Sequence, residues 1–185
     1  MNNEETPGTT LAQKKSRLPA IIGGVVALGL VALIGYGLLS ARTGRPKPGE
    51  PAPDFSLALL DGSEIALSEL RGQVVVLNFW ASWCVSCGRE APALQQVSDL
   101  YQERGVRFLG VTYQDVGDAS RAFLTQYGIS YPNGLDPRGQ ISASYGVTGV
   151  PETFLIDRSG NVVWVQIGEV DAGTLTQRLD ALLSP

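Results

Sequence analysis

The sequence of 185 residues contains no histidine, only two cysteines and no lysine after Lys47. Without histidine there is no imidazole to act as a general base or as a metal ligand. Without lysine, Schiff-base chemistry is excluded from the chain beyond residue 47. Cysteine and carboxylate side chains are therefore the groups that remain for covalent or proton chemistry.

A large excess of charge of one sign is also missing. The 14 basic and 18 acidic residues give a net charge of −4, and the two signs are mixed along the chain. Nucleic-acid-binding surfaces need clustered basic residues, so we expect no nucleic-acid partner. The length is that of one ordinary domain with an appendage.

The two cysteines, Cys84 and Cys87, are spaced C-x-x-C at a predicted strand-to-helix junction. The run before them, residues 74–79, is apolar and rich in β-branched residues, which is typical of a buried strand. Beyond them, apolar residues recur at the spacing of one helix face, at Ala91, Leu94, Val97 and Tyr101. We therefore expect the pair at the N-terminus of a helix over residues 84–103.

This position predicts redox chemistry for the cysteine pair. The dipole and the unpaired N–H groups of a helix N-terminus favour an anion, so they stabilise the thiolate of Cys84. A thiolate attacks disulfides, and the spacing brings Cys87 within bridging distance as the second, more buried thiol. The pair is predicted to cycle between dithiol and disulfide.

Other uses of a cysteine pair agree less well with the sequence. A zinc site usually takes four ligands, and the chain has neither a third cysteine nor a histidine. Attachment of c-type haem needs a histidine directly after the second cysteine, where Gly88 stands. A purely structural disulfide remains the alternative, although such bridges usually close longer loops.

The N-terminal part of the chain predicts a membrane anchor. Residues 18–41 include no charged residue and are long enough to span the hydrocarbon core of a bilayer. A small-residue cleavage site is missing at the end of this run, which favours an uncleaved signal anchor. We therefore expect a short polar cytoplasmic tail (1–18), a transmembrane helix (19–41), a Pro/Gly linker (42–50) and a folded domain (51–185).

The charges that flank the predicted helix do not decide its orientation. Three basic residues precede it and three follow it closely, so the positive-inside count is a tie. A redox domain on an anchor is most useful where disulfides persist, outside the cytoplasm. We expect a single-pass protein of the bacterial cell membrane with its C-terminal domain on the extracytoplasmic side.

The remaining patterns predict an α/β domain with a mixed sheet. A hairpin is expected around Asp61 and Gly62, and a second one around residues 158–161. Between them lie the strand and helix around the cysteines, a strand over 106–112, and a helix that Asp118 caps and Gly128 ends. A last amphipathic helix is expected to open at Asp171 or Thr174.

Three sequence stretches carry a resemblance to a known family. They are PAPDFSL (51–57), DGSEIALSELRGQVVVLNFWASWC (61–84) and DPRGQISASYGVTGVPETFLIDRSG (136–160). Together they resemble the membrane-anchored, TlpA-like thioredoxins of bacterial envelopes, and the last is most similar to the branch that serves cytochrome c maturation. The resemblance covers residues 51–185. It implies a thioredoxin-like mixed sheet flanked by helices, with an N-terminal β-hairpin extension.

The resemblance also implies roles for residues around the cysteines. In thioredoxins the proline that matches Pro151 is cis, which would expose Val150 as a strand edge for a substrate backbone. Of the two tryptophans that flank the site, we expect Trp83 to cover the disulfide and Trp80 to pack in the core. The resemblance implies no cofactor.

A buried aspartate that thioredoxins often carry is replaced here by Asn78. Glu90 and Glu152 match acidic positions of the TlpA-like pattern and are the candidates to replace that aspartate. A partly buried carboxylate with a raised pKa could accept the proton of Cys87. The alternative for Glu90 is a solvated helix face or an ion pair with a neighbour such as Arg89.

The predicted function is that of a thiol–disulfide oxidoreductase. The resemblance implies a reductant of apocytochrome c or of other exported proteins, supplied with electrons by a membrane thiol donor, and we expect a monomer. Two alternative functions agree less well with the sequence. A peroxiredoxin-type thiol peroxidase is disfavoured because the P-x-x-x-T/S-x-x-C arrangement of that family is missing before Cys84, and a copper carrier because those proteins use a histidine.

Overall fold

The computed structural model describes residues 44–184 of the chain. Its strands are β1 (Ser56–Ala58), β2 (Glu64–Ala66), β3 (Val74–Trp80), β4 (Val106–Tyr113), β5 (Asn133–Asp136), β6 (Glu152–Ile156) and β7 (Val162–Ile167). Its α-helices are α1 (Val85–Tyr101), α2 (Gly117–Tyr127), α3 (Gln140–Ser144) and α4 (Ala172–Leu183), with 3₁₀-helices at Leu67–Leu70 and Gln102–Arg104.

Five of the strands form one mixed sheet in the order β5–β4–β3–β6–β7. Strands β3, β4 and β5 are parallel, whereas β6 is antiparallel to both β3 and β7. Strands β1 and β2 pair separately as an antiparallel hairpin. This arrangement confirms the predicted thioredoxin-like mixed sheet with its N-terminal hairpin.

Strand β3 is buried along its whole length, and its side chains alternate between two cores. Val75, Leu77 and Phe79 face one core, which also contains Leu57 of the hairpin and Tyr145 beside α3. The residues between them face α1 and α4, in a second core with members Val74, Val76, Leu94, Val97, Leu175 and Leu179. Because a strand alternates its side chains with a period of two, β3 holds both faces of the domain together.

The topology brings the ends of two strands to the cysteines. Strand β3 passes through residues 81–84 into α1, and the parallel strand β4 ends beside it, with Trp80 in register with Thr112. Residues that follow Tyr113 therefore lie next to the cysteine loop. Polar groups at the carboxyl ends of neighbouring parallel strands are well placed to form a site.

Two details differ from the sequence-based expectations. Strand β5 was not predicted, because its sequence NGLD has low β-propensity and is placed by pairing with β4. The prediction that Asp118 caps α2 is wrong, since the N-cap is Val116, which makes no side-chain cap. Asp118 lies in the first helical turn, where a carboxylate still favours the helix dipole.

The predicted anchor lies outside the described residues. Among residues 44–184, no helix is both long and apolar enough to cross a membrane. The tail (1–18) and the transmembrane helix (19–41) therefore stay predictions.

Part of the predicted linker is described, and it packs on the domain. The N–H of Gly49 donates to the carbonyl of Val162 at 2.7 Å, and the N–H of Val162 donates to the carbonyl of Glu50 at 2.9 Å. Pro46 is buried. The chain is thus fixed to the edge of β7 before residue 51 is reached.

Candidate active site

Cys84 and Cys87 form a disulfide at the start of α1. Cys84 is the N-cap residue, and its Sγ accepts a hydrogen bond from the backbone N–H of Cys87 at 3.1 Å. Cys84 is 6% exposed and Cys87 is 2% exposed. The predicted position at a helix N-terminus is confirmed, and Cys87 is the more buried of the two, as expected.

The loop before β6 lies against the first cysteine. The Val150–Pro151 peptide bond is cis, which confirms the conformation implied by the resemblance. The carbonyl oxygen of Val150 lies 3.5 Å from Cys84 Sγ, and the carbonyl of Pro151 accepts from the N–H of Gly168 at 2.9 Å. Val150 thus borders the sulfur that a substrate would have to approach.

The two tryptophans occupy different environments, as expected. Trp80 is buried, stacks on Phe123 with 4.6 Å between ring centroids, and donates its indole N–H to Asn133 at 2.8 Å. Trp83 is 57% exposed, and its indole N–H donates to the carbonyl of Gln114 at 3.2 Å. An exposed aromatic ring next to Cys84 offers apolar surface to a partner chain. Its predicted role as cover of the disulfide stays a prediction.

Asp115 organises the loop that carries Trp83, and sequence reasoning missed it. Its carboxylate accepts the backbone N–H of Ser82 at 2.7 Å and the hydroxyl of Ser82 at 2.8 Å. It also accepts the hydroxyl of Ser120 at 3.0 Å and the N–H of Val116 at 2.8 Å. Its place just after a strand parallel to β3 was a signal that could have identified it.

Glu90 is a buried acid on the same helix as the cysteines. It stands three residues after Cys87, so both side chains share one face of α1. Its Oε1 accepts from the side-chain amide of Asn78 at 2.9 Å and its Oε2 from the N–H of Val170 at 3.0 Å. Burial raises the pKa of Glu90 to about 7, although both hydrogen bonds oppose this shift. The ion-pair alternative is wrong, since Arg89 pairs with Glu169 instead.

Glu152 lies on the opposite face of the sheet from Glu90. The next residue of β6, Thr153, lies on the α1 face, where its hydroxyl accepts from the side-chain amide of Asn78 at 3.0 Å. Because side chains alternate along a strand, Glu152 faces the other side of the sheet. There the Glu152 carboxylate contacts Arg45 Nη2 at 2.7 Å. Burial raises the pKa of Glu152, and the charge of Arg45 partly offsets that effect. The sequence had placed Arg45 in a linker and gave no signal for this pair.

Gly88, directly after the second cysteine, lies against α2. A Cβ atom at this position would lie 2.4 Å from the hydroxyl oxygen of Tyr127 and 2.8 Å from its ring carbon Cζ. Only a glycine allows α1 and α2 to approach so closely here without displacing Tyr127.

These groups suffice for thiol–disulfide exchange without a bound cofactor. The sulfur of Cys84 is at a helix N-terminus, a buried acid shares the helix face of Cys87, and Val150 presents a backbone edge beside them. Within the described part of the chain, no three His, Cys, Asp or Glu side chains are grouped to hold a metal ion. The fold and the site define a thioredoxin-like thiol–disulfide oxidoreductase.

Comparison with known proteins places the chain within this class. The chain belongs to the AhpC/TSA family, whose model matches residues 48–165. It is 33% identical over 173 residues to the thiol–disulfide oxidoreductase ResA of Geobacillus thermodenitrificans, covering 92% of this chain and 98% of that protein. It is 35% identical over 170 residues to the thiol:disulfide interchange protein DsbE of Allochromatium vinosum, covering 89% and 92%.

A solved structure agrees with this assignment. The secreted thiol–disulfide isomerase of Corynebacterium glutamicum superposes with a TM-score of 0.67 at 29% identity, covering 72% of this chain and 86% of that one. The protein is therefore an enzyme of the ResA and DsbE type that exchanges thiols and disulfides.

Proposed function

We propose that this protein is a membrane-anchored reductase of disulfides in exported proteins, with apocytochrome c as its main substrate class. The observation that carries the proposal is the Cys84–Cys87 pair at the N-terminus of α1, beside the backbone of Val150. The uncharged run of residues 18–41 supports an anchor, and the secreted relative supports export. The resemblance of residues 136–160 to the cytochrome c maturation branch supports the substrate class.

The reaction transfers two electrons from the protein dithiol to the substrate disulfide. The thiolate of Cys84 attacks one substrate sulfur, the substrate S–S bond breaks, and the second substrate sulfur leaves as a thiolate that takes up a proton. Cys87 then loses its proton, attacks Cys84 Sγ and displaces the first substrate sulfur. The substrate leaves as a dithiol and the protein as the disulfide seen in the structure.

Glu90 is the group that we assign to the second step. Burial disfavours the thiolate of Cys87, so a base that accepts its proton assists the attack. With its pKa raised to about 7, Glu90 has a proton affinity suited to this transfer near neutral pH. A membrane thiol donor must then return two electrons to the Cys84–Cys87 disulfide.

The test uses the full-length protein, purified in detergent and reduced. Its rate of thiol release from a disulfide-bonded C-x-x-C-H peptide is compared with the rate from a peptide of scrambled sequence. We expect faster reduction of the C-x-x-C-H peptide and accumulation of a mixed disulfide through Cys84 in the variant Cys87→Ser. Equal rates on both peptides would contradict the substrate class, and no mixed disulfide would contradict the mechanism.

Hydrogen peroxide serves as the control substrate for the alternative function. A thiol peroxidase would oxidise Cys84 with peroxide faster than with a peptide disulfide. We expect the opposite order, since the residues before Cys84 lack the peroxidatic arrangement. Faster consumption of peroxide would replace the reductase proposal by the peroxidase one.

A further inference from the structure

Arg45 is far in sequence from the active-site proline, but its side chain contacts the first residue of β6, directly after that proline. Its Nη2 atom lies 2.7 Å from Oε1 of Glu152 and 2.7 Å from Oε2, and it donates to the carbonyl of Gly146 at 3.2 Å. The side chain of Glu152 is 3% exposed and that of Arg45 is 28% exposed. The carboxylate is thus buried, and the arginine closes it off from solvent.

The backbone at Arg45 is also fitted to the domain. Gly146 has a φ of +62°, and a Cβ atom there would lie 2.4 Å from the backbone nitrogen of Arg45 and 2.8 Å from its Cα. Only a glycine leaves room for this approach. Further along, Gly49 and Glu50 exchange backbone hydrogen bonds with Val162. The segment therefore has a defined seat that orients the Arg45 side chain.

Glu152 connects this seat to the active site. It directly follows cis Pro151, and its Oε1 lies 3.5 Å from the N–H of Thr148, which donates to it. Burial raises the pKa of this carboxyl, and the backbone N–H groups of Thr148 and Gly149 both act to lower it. The Thr148–Pro151 loop is therefore tied to the carboxylate at one end and borders Cys84 through Val150 at the other.

We propose that Arg45 is a positioning residue of the active site, which compensates the buried charge of Glu152 and so lets this side chain hold the Thr148–Pro151 loop against Cys84. The proposal rests on the proposed function, because the loop is where the substrate backbone is expected to bind. Arg45 precedes the residues matched by the family model, 48–165. Among the described residues, Arg45 is the charged group that contacts Glu152, and the backbone N–H of Thr148 is the other donor to the Glu152 carboxylate.

Loss of Arg45 has a physical consequence that depends on pH. A buried carboxylate without its counter-charge is costly while ionised, and its pKa rises further. At low pH Glu152 is protonated and the loop is retained. As the pH rises, the unpaired charge forms and disturbs the loop, so the defect grows with pH. A neutral residue at position 152 removes the cause and makes Arg45 dispensable.

The experiment compares Arg45→Gln, Glu152→Gln and the double variant in the full chain, purified in detergent. For Arg45→Gln we expect a KM for the disulfide peptide raised about 10-fold at pH 8 with kcat little changed, and a smaller effect at pH 6. The double variant should return to within about twofold of Glu152→Gln alone. Arg45→Lys keeps the positive charge, so its KM at pH 8 should lie between those of the wild type and of Arg45→Gln.

Lys47→Gln is the matched control, because it removes one positive charge from the same segment at an exposed side chain. We expect wild-type values for it. Arg45→Gln and Lys47→Gln with the same KM and pH profile would overturn the proposal. The proposal would also be overturned if Arg45→Gln lowers the melting temperature and the added Glu152→Gln substitution does not raise it again. That result would indicate a purely structural role for Arg45.

A readout without substrate separates this proposal from the proposed function. The rate of alkylation of Cys84 by iodoacetamide is measured against pH in each reduced variant. Because Val150 borders the Cys84 sulfur, a displaced loop shifts that profile in Arg45→Gln and not in Lys47→Gln. Wild-type protein that fails to reduce peptides would contradict the proposed function, while this profile would still decide the role of Arg45.

Discussion

The side-chain amide of Asn78 donates a 2.9 Å hydrogen bond to Oε1 of Glu90, so a carboxyl group of α1 lies against the strand that leads to the cysteines. Where thioredoxins often carry an aspartate on the strand, this chain has an amide on the strand and an acid on the helix. An amide cannot titrate, so proton chemistry at this contact belongs to Glu90 alone.

The stability of the domain should fall as pH rises from about 4.5 to about 7, because of Glu90. Its pKa is raised in the fold from 4.5 to about 7, so its contribution to stability is fully present below pH 4.5 and is lost by about pH 7. The loss is about 3 kcal/mol. Denaturant unfolding between pH 4 and 9 should give a clearly shallower slope for Glu90→Gln than for wild type, because the raised pKa of Glu152 leaves a slope of the same sign in the variant. Glu103→Gln, at an exposed side chain, is the control, and a slope in Glu90→Gln as steep as in wild type would contradict the assignment.

The exchange rate should rise with pH as Glu90 ionises. A base must be unprotonated to accept the proton of Cys87, so the resolving step gains speed through pH 7. Glu90→Gln should slow this step about 100-fold at pH 8 and flatten the profile. Single-turnover release of thiol from the mixed disulfide measures it. Glu152→Gln is run in parallel, because a flattened profile in that variant would assign the proton transfer to Glu152.

Asp115 should control the position of Trp83. In Asp115→Ala the N–H and hydroxyl of Ser82 lose their acceptor, and the loss of such charge-assisted hydrogen bonds costs about 1–3 kcal/mol. We expect a lower free energy of unfolding, altered tryptophan fluorescence and faster alkylation of Cys84. Asp118→Ala, at an exposed acid in the same region, should leave the fluorescence and the alkylation rate unchanged and lower the free energy of unfolding less, since it loses only a helix-dipole contact and an exposed pair with Arg121. Unchanged fluorescence in Asp115→Ala would mean that the loop is held by other contacts.

The anchor and its orientation can be tested by fusion at the C-terminus. Because the flanking basic residues tie in number, the charges do not bias the outcome. Alkaline phosphatase is active only outside the cytoplasm. We therefore expect a fusion after residue 185 to be active, and the same fusion without residues 1–41 to be inactive. An active cytoplasmic reporter at the same site would instead make the protein an intracellular reductase.

The parts of the fold that were predicted are those whose sequence carries a local signal. Strand β3 and helix α1 have long apolar patterns, and α4 opens at Asp171, whose side chain accepts from the N–H of Thr174 as a capping residue should. Strand β5 has no such pattern, because its four residues are held by pairing with β4 rather than by their own propensity.

The site shows the same division. Both cysteines were found from their spacing at a predicted strand-to-helix junction, and Glu90, on the same helix, from its match to an acidic position of the TlpA-like pattern. The contact between Arg45 and Glu152 spans 107 positions of sequence and depends on the seat made by Gly146, which has no signature in the chain. Asp115 follows β4 and binds Ser82, which follows β3, so its role could be predicted only once these two strands were known to be neighbours.

The glycine after the second cysteine has a consequence for how the protein is distinguished from its proposed targets. A c-type cytochrome carries histidine at that position, and haem attachment enzymes act on the resulting C-x-x-C-H motif. Here a side chain at position 88 would meet the hydroxyl end of Tyr127, so the packing of α1 against α2 disfavours a histidine at this position. Under the proposed function, the dithiol that would reduce a haem-binding segment thus lacks the histidine that marks such a segment.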